Sequence, residues 1–287
     1  MRKPGKRVDG RRRSPYGVEE GDVRVSTDAE LQEALTKTDW GKTYLTEFLV
    51  SAEQNTKITY LKRKGYFDLF NSLGELFERA SGVVNYRDKS TLAGCMLFNR
   101  TVGSFFGAVR LGSSGQLPEC YTQLRVCLES ALYAFGIYKE AGLGEVWLNR
   151  HVDEESQRLC RKRFQVGNLF QKLAAEQKSL QEEAEDLYDE CIDRGAHPNE
   201  RSVTANIKFS RSDKKIALEL FNTEPGVFEA CLAVCCLVAT CVINIFRLIY
   251  PGKFKELNAD VRVLNMKTQL QRIAPGIVAE LRKQEVK

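Results

Sequence analysis

The sequence predicts a mainly α-helical protein, a multi-helix bundle with one small β-hairpin inserted. Three observations carry that expectation. Apolar residues recur three and four positions apart along most of the chain, which is the spacing of a helix face. The period shifts to strict alternation only near residues 203–221. Two stretches, Leu124–Tyr138 and Ala230–Ile243, are so apolar that the middle of a bundle is the natural place for them. The 287 residues are 43% hydrophobic and 28% charged, an ordinary globular composition.

The elements follow in chain order. Residues 1–26, rich in Arg, Lys and Gly, read as a disordered basic tail, and residues 27–287 as a single helical domain. Ser26 or Thr27, with Asp28 and Glu30 behind it, is a helix start, giving a short helix through Leu35. Asp39–Lys64 reads as helical with a break near Asn55. Tyr66–Ala80 places Phe67, Phe70, Leu73 and Phe77 on one stripe, and Thr91–Leu111 is the next helix. Gly112-Ser113-Ser114-Gly115 breaks it, and Pro118 opens the leading helix. A polar helix is expected at about Asp153–Phe164, then a long one over Gln165–Arg194 stopped by Gly195 and Pro198. Val203, Ala205, Ile207 and Phe209 alternate, as do Ile216, Leu218 and Leu220, hence the hairpin. A helix over Asp213–Asn222 is the competing reading. Pro225–Tyr250 is the most apolar helix, stopped by Pro251-Gly252, and Ala259–Lys287 gives one or two more, interrupted at Pro275-Gly276.

The net charge of +5 belongs to the first thirteen residues, which hold seven Lys/Arg and one Asp. The remainder is close to neutral, so nucleic acid would be attracted through residues 2–13, if at all. The nine cysteines lie mostly inside apolar runs, and no apolar signal segment precedes them. Reduced, buried thiols in a cytoplasmic protein are the expectation. Ala230–Phe246 approaches the length of a membrane span, but Glu229 and Arg247 bound only about 17 residues where roughly 20 are needed. A buried core helix is the preferred reading, and a membrane partner is not expected.

Four constellations could carry chemistry. In the leading helix Arg125 and Glu129 stand one turn apart inside an apolar run. A lone charge buried there would cost several kcal/mol, so the two should pair with each other or with groups on neighbouring helices. With Trp147, Arg150 and the adjacent His151 they could hold an anion; a structural ion-pair network is the competing reading. The second is Tyr188 followed by Asp193-Arg194-Gly195-Ala196-His197-Pro198-Asn199, at the end of a long helix. There His197 could act as a general base or acid oriented by Asp193, or the segment could be a helix stop whose side chains satisfy backbone groups. The third, Glu182, Glu183, Glu185, Asp186, Asp189 and Glu190, reads as a solvated acidic face, since the Glu-x-x-His of carboxylate bundles does not occur. The fourth is Cys231, Cys235, Cys236 and Cys241. The first two share a helix face, but no second Cys/His pair has zinc-like spacing, so core packing is expected and no metal or cofactor is assigned.

Taken together, SSGQLPECYTQLRVCLESALYAFGI, EVWLNR, CRKRF and LYDECIDRGAHPNERSV resemble an uncharacterised family of prokaryotic all-helical proteins, a domain of unknown function with an LR-x-x-LE-x-A-x-Y, WL-x-R and ID-x-GAHPN pattern. The resemblance covers about residues 40–250 and brings no activity with it. It implies that Arg125, Glu129, Trp147, Arg150, His197, Pro198 and Asn199 belong to one pattern. A fainter likeness is to helical RNA-binding domains of toxin–antitoxin and phage-defence systems. Nucleases of that class place His four to six residues after Arg, whereas here Arg194 is three before His197 and Arg150 directly precedes His151.

The expected function is a cytoplasmic binding or interaction module with a buried Arg/Glu cluster, homodimeric through its helices. Its ligand groups would be Tyr188, Asp193, Asn199 and Trp147. The alternative is a metal-independent, ribonuclease-like hydrolase using His197, Arg125, Glu129 and Arg150, and the third reading is a protein attached to a membrane through residues 230–246.

Overall fold

The computed structural model of the chain describes residues 27–210 and 215–276, without the side chains of residues 208–210. The basic tail, the hairpin tip and the last eleven residues lie outside this range, so the expectations placed on them do too. The protein is mainly α. The chain divides into two compact units, Met1–Val50 and Ser51–Lys287. The division falls inside a helix, some distance past the Thr27 boundary read from the sequence.

In the first unit, α1 (Asp28–Thr36) starts as expected. The Thr27 hydroxyl accepts from the Glu30 amide while the Glu30 carboxylate accepts from the Thr27 amide, a reciprocal cap. Asp39–Thr43 is a turn, and α2 runs unbroken over Tyr44–Lys62. Thr56 and Thr59 donate to carbonyls one turn back, so Asn55 interrupts nothing.

The second unit is layered around two helices, α5 (Leu117–Lys139) and α11 (Pro225–Ile249). Against them pack α3 (Lys64–Ser81), α4 (Lys89–Ser114), α8 (Val166–Glu176), α9 (Lys178–Cys191) and α13 (Ala259–Ile273). The α3 stripe is buried as expected through Phe70, Leu73 and Phe77. Phe77 lies 5.3 Å from Phe105 of α4, and Phe98 of α4 stands edge-on to Phe246 of α11 at 4.9 Å. Such pairs add about 0.5–1.5 kcal/mol beyond the burial of their area. The remaining short helices are α6 (Leu143–Leu148), α7 (Glu154–Arg163), α10 (Glu200–Thr204) and α12 (Pro251–Glu256).

From Leu124 to Ile137 no residue of α5 is exposed, which is the all-round burial expected of it. Tyr138, placed on its apolar face, is exposed instead, because it falls in the last turn beyond the covering helices. Other elements differ from expectation too, and α4 runs on through Ser114, where Gly112-Ser113-Ser114-Gly115 was expected to break it. The long helix over 165–194 breaks at Gln177, whose backbone is extended. Phe170 and Tyr188 would stand about 27 Å apart on one straight helix, yet their rings meet at 5.7 Å. The break lets both apolar stripes reach the core. Val203 belongs to α10, and the hairpin is shorter, β1 (Ile207–Ser210) antiparallel to β2 (Lys215–Leu218), with Ile207 opposite Leu218. Pro251 starts α12 where a stop was expected, since proline suits a first helical turn. And α6 between α5 and α7 had no expectation at all.

Among the described residues two helices, α4 and α11, are long and apolar enough to cross a membrane. In α11, 78% of the most apolar window is covered by the protein itself.

Candidate functional site

Arg125 and Glu129 meet as their spacing requires. Arg125 Nε donates to Glu129 Oε1 at 2.9 Å, and each side chain retains about a quarter of its exposure (25% and 27%). The partner expected from a neighbouring helix is Tyr188 of α9, whose hydroxyl donates to the same Glu129 oxygen at 3.0 Å. The Arg125 guanidinium also lies over the Tyr188 ring, 5.2 Å from its centroid. Burial first, then the Glu129 charge, pushes the Tyr188 phenol up to about 12, so it stays a proton donor at neutral pH. The triad ties α5 to α9. Within it Glu129 Oε1 accepts from both Arg125 and Tyr188.

Arg150 stands near this triad. It follows α6, is half-buried, and together with Arg125 and Glu129 acts electrostatically on the Tyr133 phenol, which burial raises first. Its Nε is buried with no hydrogen-bond partner among the described residues. Trp147 packs half-buried against the core, and His151 is exposed.

The second constellation is a helix stop of unusual form. After α9 the chain makes one π-helical turn, Ile192–Ala196, wedged against the start of α5. Thr122 Oγ1 donates to the Gly195 carbonyl at 3.2 Å. A Cβ on Gly195 would sit 2.2 Å from the Pro118 carbonyl oxygen, so only glycine permits this approach. Asn199 then caps α10: its Oδ1 accepts from the Ser202 amide at 2.9 Å, and its Nδ2 donates to the Ile192 carbonyl at 3.0 Å. Asp193 pairs with Arg201 at 3.2 Å rather than orienting His197. His197 is exposed, and its backbone carbonyl accepts from the Ser202 hydroxyl at 2.6 Å. No hydrogen bond or ion pair of its imidazole is found among the described residues. The structure thus joins Arg125, Glu129 and Tyr188 directly, sets Arg150 nearby, and gathers Asp193, Asn199 and Arg201 in a separate group below the π turn.

Beside the π turn lies a cavity of about 770 Å³. Its walls come from the start of α5 (Leu117, Tyr121), the π turn (Arg194), α10 (Arg201) and the segment from the hairpin into α11 (Asn222, Thr223). Asn222 is locked there, its Nδ2 donating to the Ala205 carbonyl at 2.8 Å and its amide to the Gly115 carbonyl at 2.8 Å. Arg194 pairs with Glu190, which corrects the acidic-face reading for that residue: Glu190 is buried, at 8% exposure. Glu183 likewise is half-buried against Lys267 of α13, while Glu182, Glu185, Asp186 and Asp189 are exposed. The Tyr121 hydroxyl is buried beside the cavity without a hydrogen-bond partner among the described residues. Sequence reasoning named Arg194 only as part of the 193–199 segment, with no ligand role, and missed Tyr121 and Arg201. Their only signal was that Arg194 and Arg201 flank the GAHPN segment.

All nine cysteines are free, and eight are buried. Cys231 and Cys235 share a face of α11, as expected, and Cys120 of α5 joins them. A comparison with family models, with curated proteins and with solved structures finds no match to this chain.

Proposed function

We propose that this chain is a binding module, and that the cavity beside the π turn takes a small polar ligand with an anionic group. The supporting observation is the cavity itself: about 770 Å³, with Arg194 and Arg201 in one wall. That volume lies within the few-hundred to thousand Å³ usual for small-molecule sites. Both guanidiniums have carboxylate partners, Glu190 and Asp193, which hold them in place and leave donors free for a ligand. Glu219 and Glu224 also line the cavity, favouring a ligand of mixed polarity over a plain polyanion. Among the described residues lining the cavity there is no histidine, which supports a binding role for it.

The test is native mass spectrometry of the full chain as purified, followed by thermal-shift measurements with mononucleotides, sugar phosphates and carboxylic acids. One compound should raise the melting temperature and remain bound at one equivalent. Arg201→Ala, an exposed position, should weaken it about 10-fold, the worth of one charge-assisted hydrogen bond. No stabilising compound, or an Arg201→Ala variant that binds unchanged, removes the proposal. The same native spectrum gives the mass of the assembly and so decides the homodimer expectation.

A further inference from the structure

Behind Tyr121 three thiols converge from two helices. Cys231 and Cys235 project one turn apart from α11, and Cys120 faces them from α5. Their sulfurs all lie within 4.8 Å of one another, with Cys120 and Cys235 at 3.5 Å. A metal bound to three thiolates at about 2.3 Å would set its sulfurs about 3.8–4.0 Å apart, so the cluster is near that geometry without backbone movement. All three residues are fully buried. Gly112 of α4 leaves the space open: a Cβ there would lie 3.0 Å from Cys120 Sγ and 3.7 Å from Cys231 Sγ. The buried Tyr121 hydroxyl makes no hydrogen bond to nitrogen or oxygen among the described residues, and the group it acts on is the Cys231 thiol. An orphaned hydroxyl at a thiol cluster is what an outer-sphere donor to a thiolate looks like before the thiolate exists.

We propose that Cys120, Cys231 and Cys235 are the ligands of a site for one soft, closed-shell cation, Cu(I) or Zn(II). Soft thiolate donors select these ions. Each sulfur–metal bond replaces an S–H bond, and the proton leaves to solvent. Three thiolates with Cu(I) carry two net negative charges, and with Zn(II) one. Arg194, half-buried and acting electrostatically on Cys231, offsets part of either. Tyr121 also borders the cavity, so the way in for the ion runs past its ring. The site does not depend on the ligand proposed for that cavity.

The full chain, reduced and kept free of oxygen, is titrated with Cu(I) against bicinchoninate and separately with Zn(II) against a chromogenic chelator. One equivalent of one ion should be taken up ahead of the chelator, and which arm responds identifies the metal. Cys120→Ser, Cys231→Ser and Cys235→Ser should each weaken uptake more than about 100-fold, and Tyr121→Phe about 10-fold, as outer-shell losses do. Cys95→Ser and Cys160→Ser should leave it unchanged. X-ray absorption of the loaded wild type, which needs no variant to fold, should give three sulfurs at about 2.3 Å. Uptake in neither arm, or coordination by oxygen and nitrogen alone, overturns the proposal.

Discussion

Gly195 shows how much one missing methyl group can decide. Its backbone passes so close to Pro118 that any side chain would drive the π turn off α5. The constraint is packing, since Gly195 is not among the positive-φ residues. Gly195→Ala should therefore destabilise the fold by about 1–3 kcal/mol, the range for overpacking, read as a lower midpoint in urea unfolding. An unchanged midpoint would mean that the turn yields freely and does not fix the cavity wall. At the same scale, the charge pair of the leading helix was legible from the sequence. Arg125 and Glu129 are four apart in an apolar run, and burial physics demands that they pair. Tyr188 as their third member was not derivable, because it stands 59 residues from Glu129 and only the fold brings them together.

Among elements, α5 and α9 are joined through that triad. Glu129→Ala leaves Arg125 Nε and the Tyr188 hydroxyl short of their shared acceptor, and should cost about 1.5–3 kcal/mol. Tyr188→Phe alone removes one donor and should cost about 1 kcal/mol. The double variant should fall short of the sum by about 0.5–1.5 kcal/mol, since the Tyr188 bond is already lost once Glu129 is gone. Strict additivity in the unfolding free energies would show the two helices to be energetically separate there. The helices themselves were readable wherever a stripe was strong, as in α3 and α5. The break at Gln177 was not readable, because no glycine or proline marks it. There the gain from folding two apolar stripes onto one core outweighs local helical continuity. The hairpin was found by its alternation, but its start was set four residues early, at 203 rather than Ile207, since Val203 falls in a helix that Asn199 caps. The three-thiol cluster escaped for another reason. Metal spacings are recognised along one segment, and here the third sulfur comes from a different helix.

Over the whole molecule, the most apolar helix is also the most thoroughly covered. α11 packs against α3, α4, α5, α9, α12 and α13, and from Cys231 to Ile243 only Leu237 is not fully buried. The membrane reading of residues 230–246 thus meets a surface already occupied by protein. In a detergent phase-separation assay the full chain should partition into the aqueous layer, and recovery in the detergent layer would mean that α11 leaves the bundle to meet lipid.

The pairing of α5 with α11 also sets an order of events at the ribosome. Cys120 and Cys235 touch although 115 positions separate them. At roughly 5–20 residues per second, α5 emerges on the order of 10 seconds before the helix that is to cover it. For that interval α5 has α4, already made, on one side, while the face meant for α11 stays open, a natural client for a holdase.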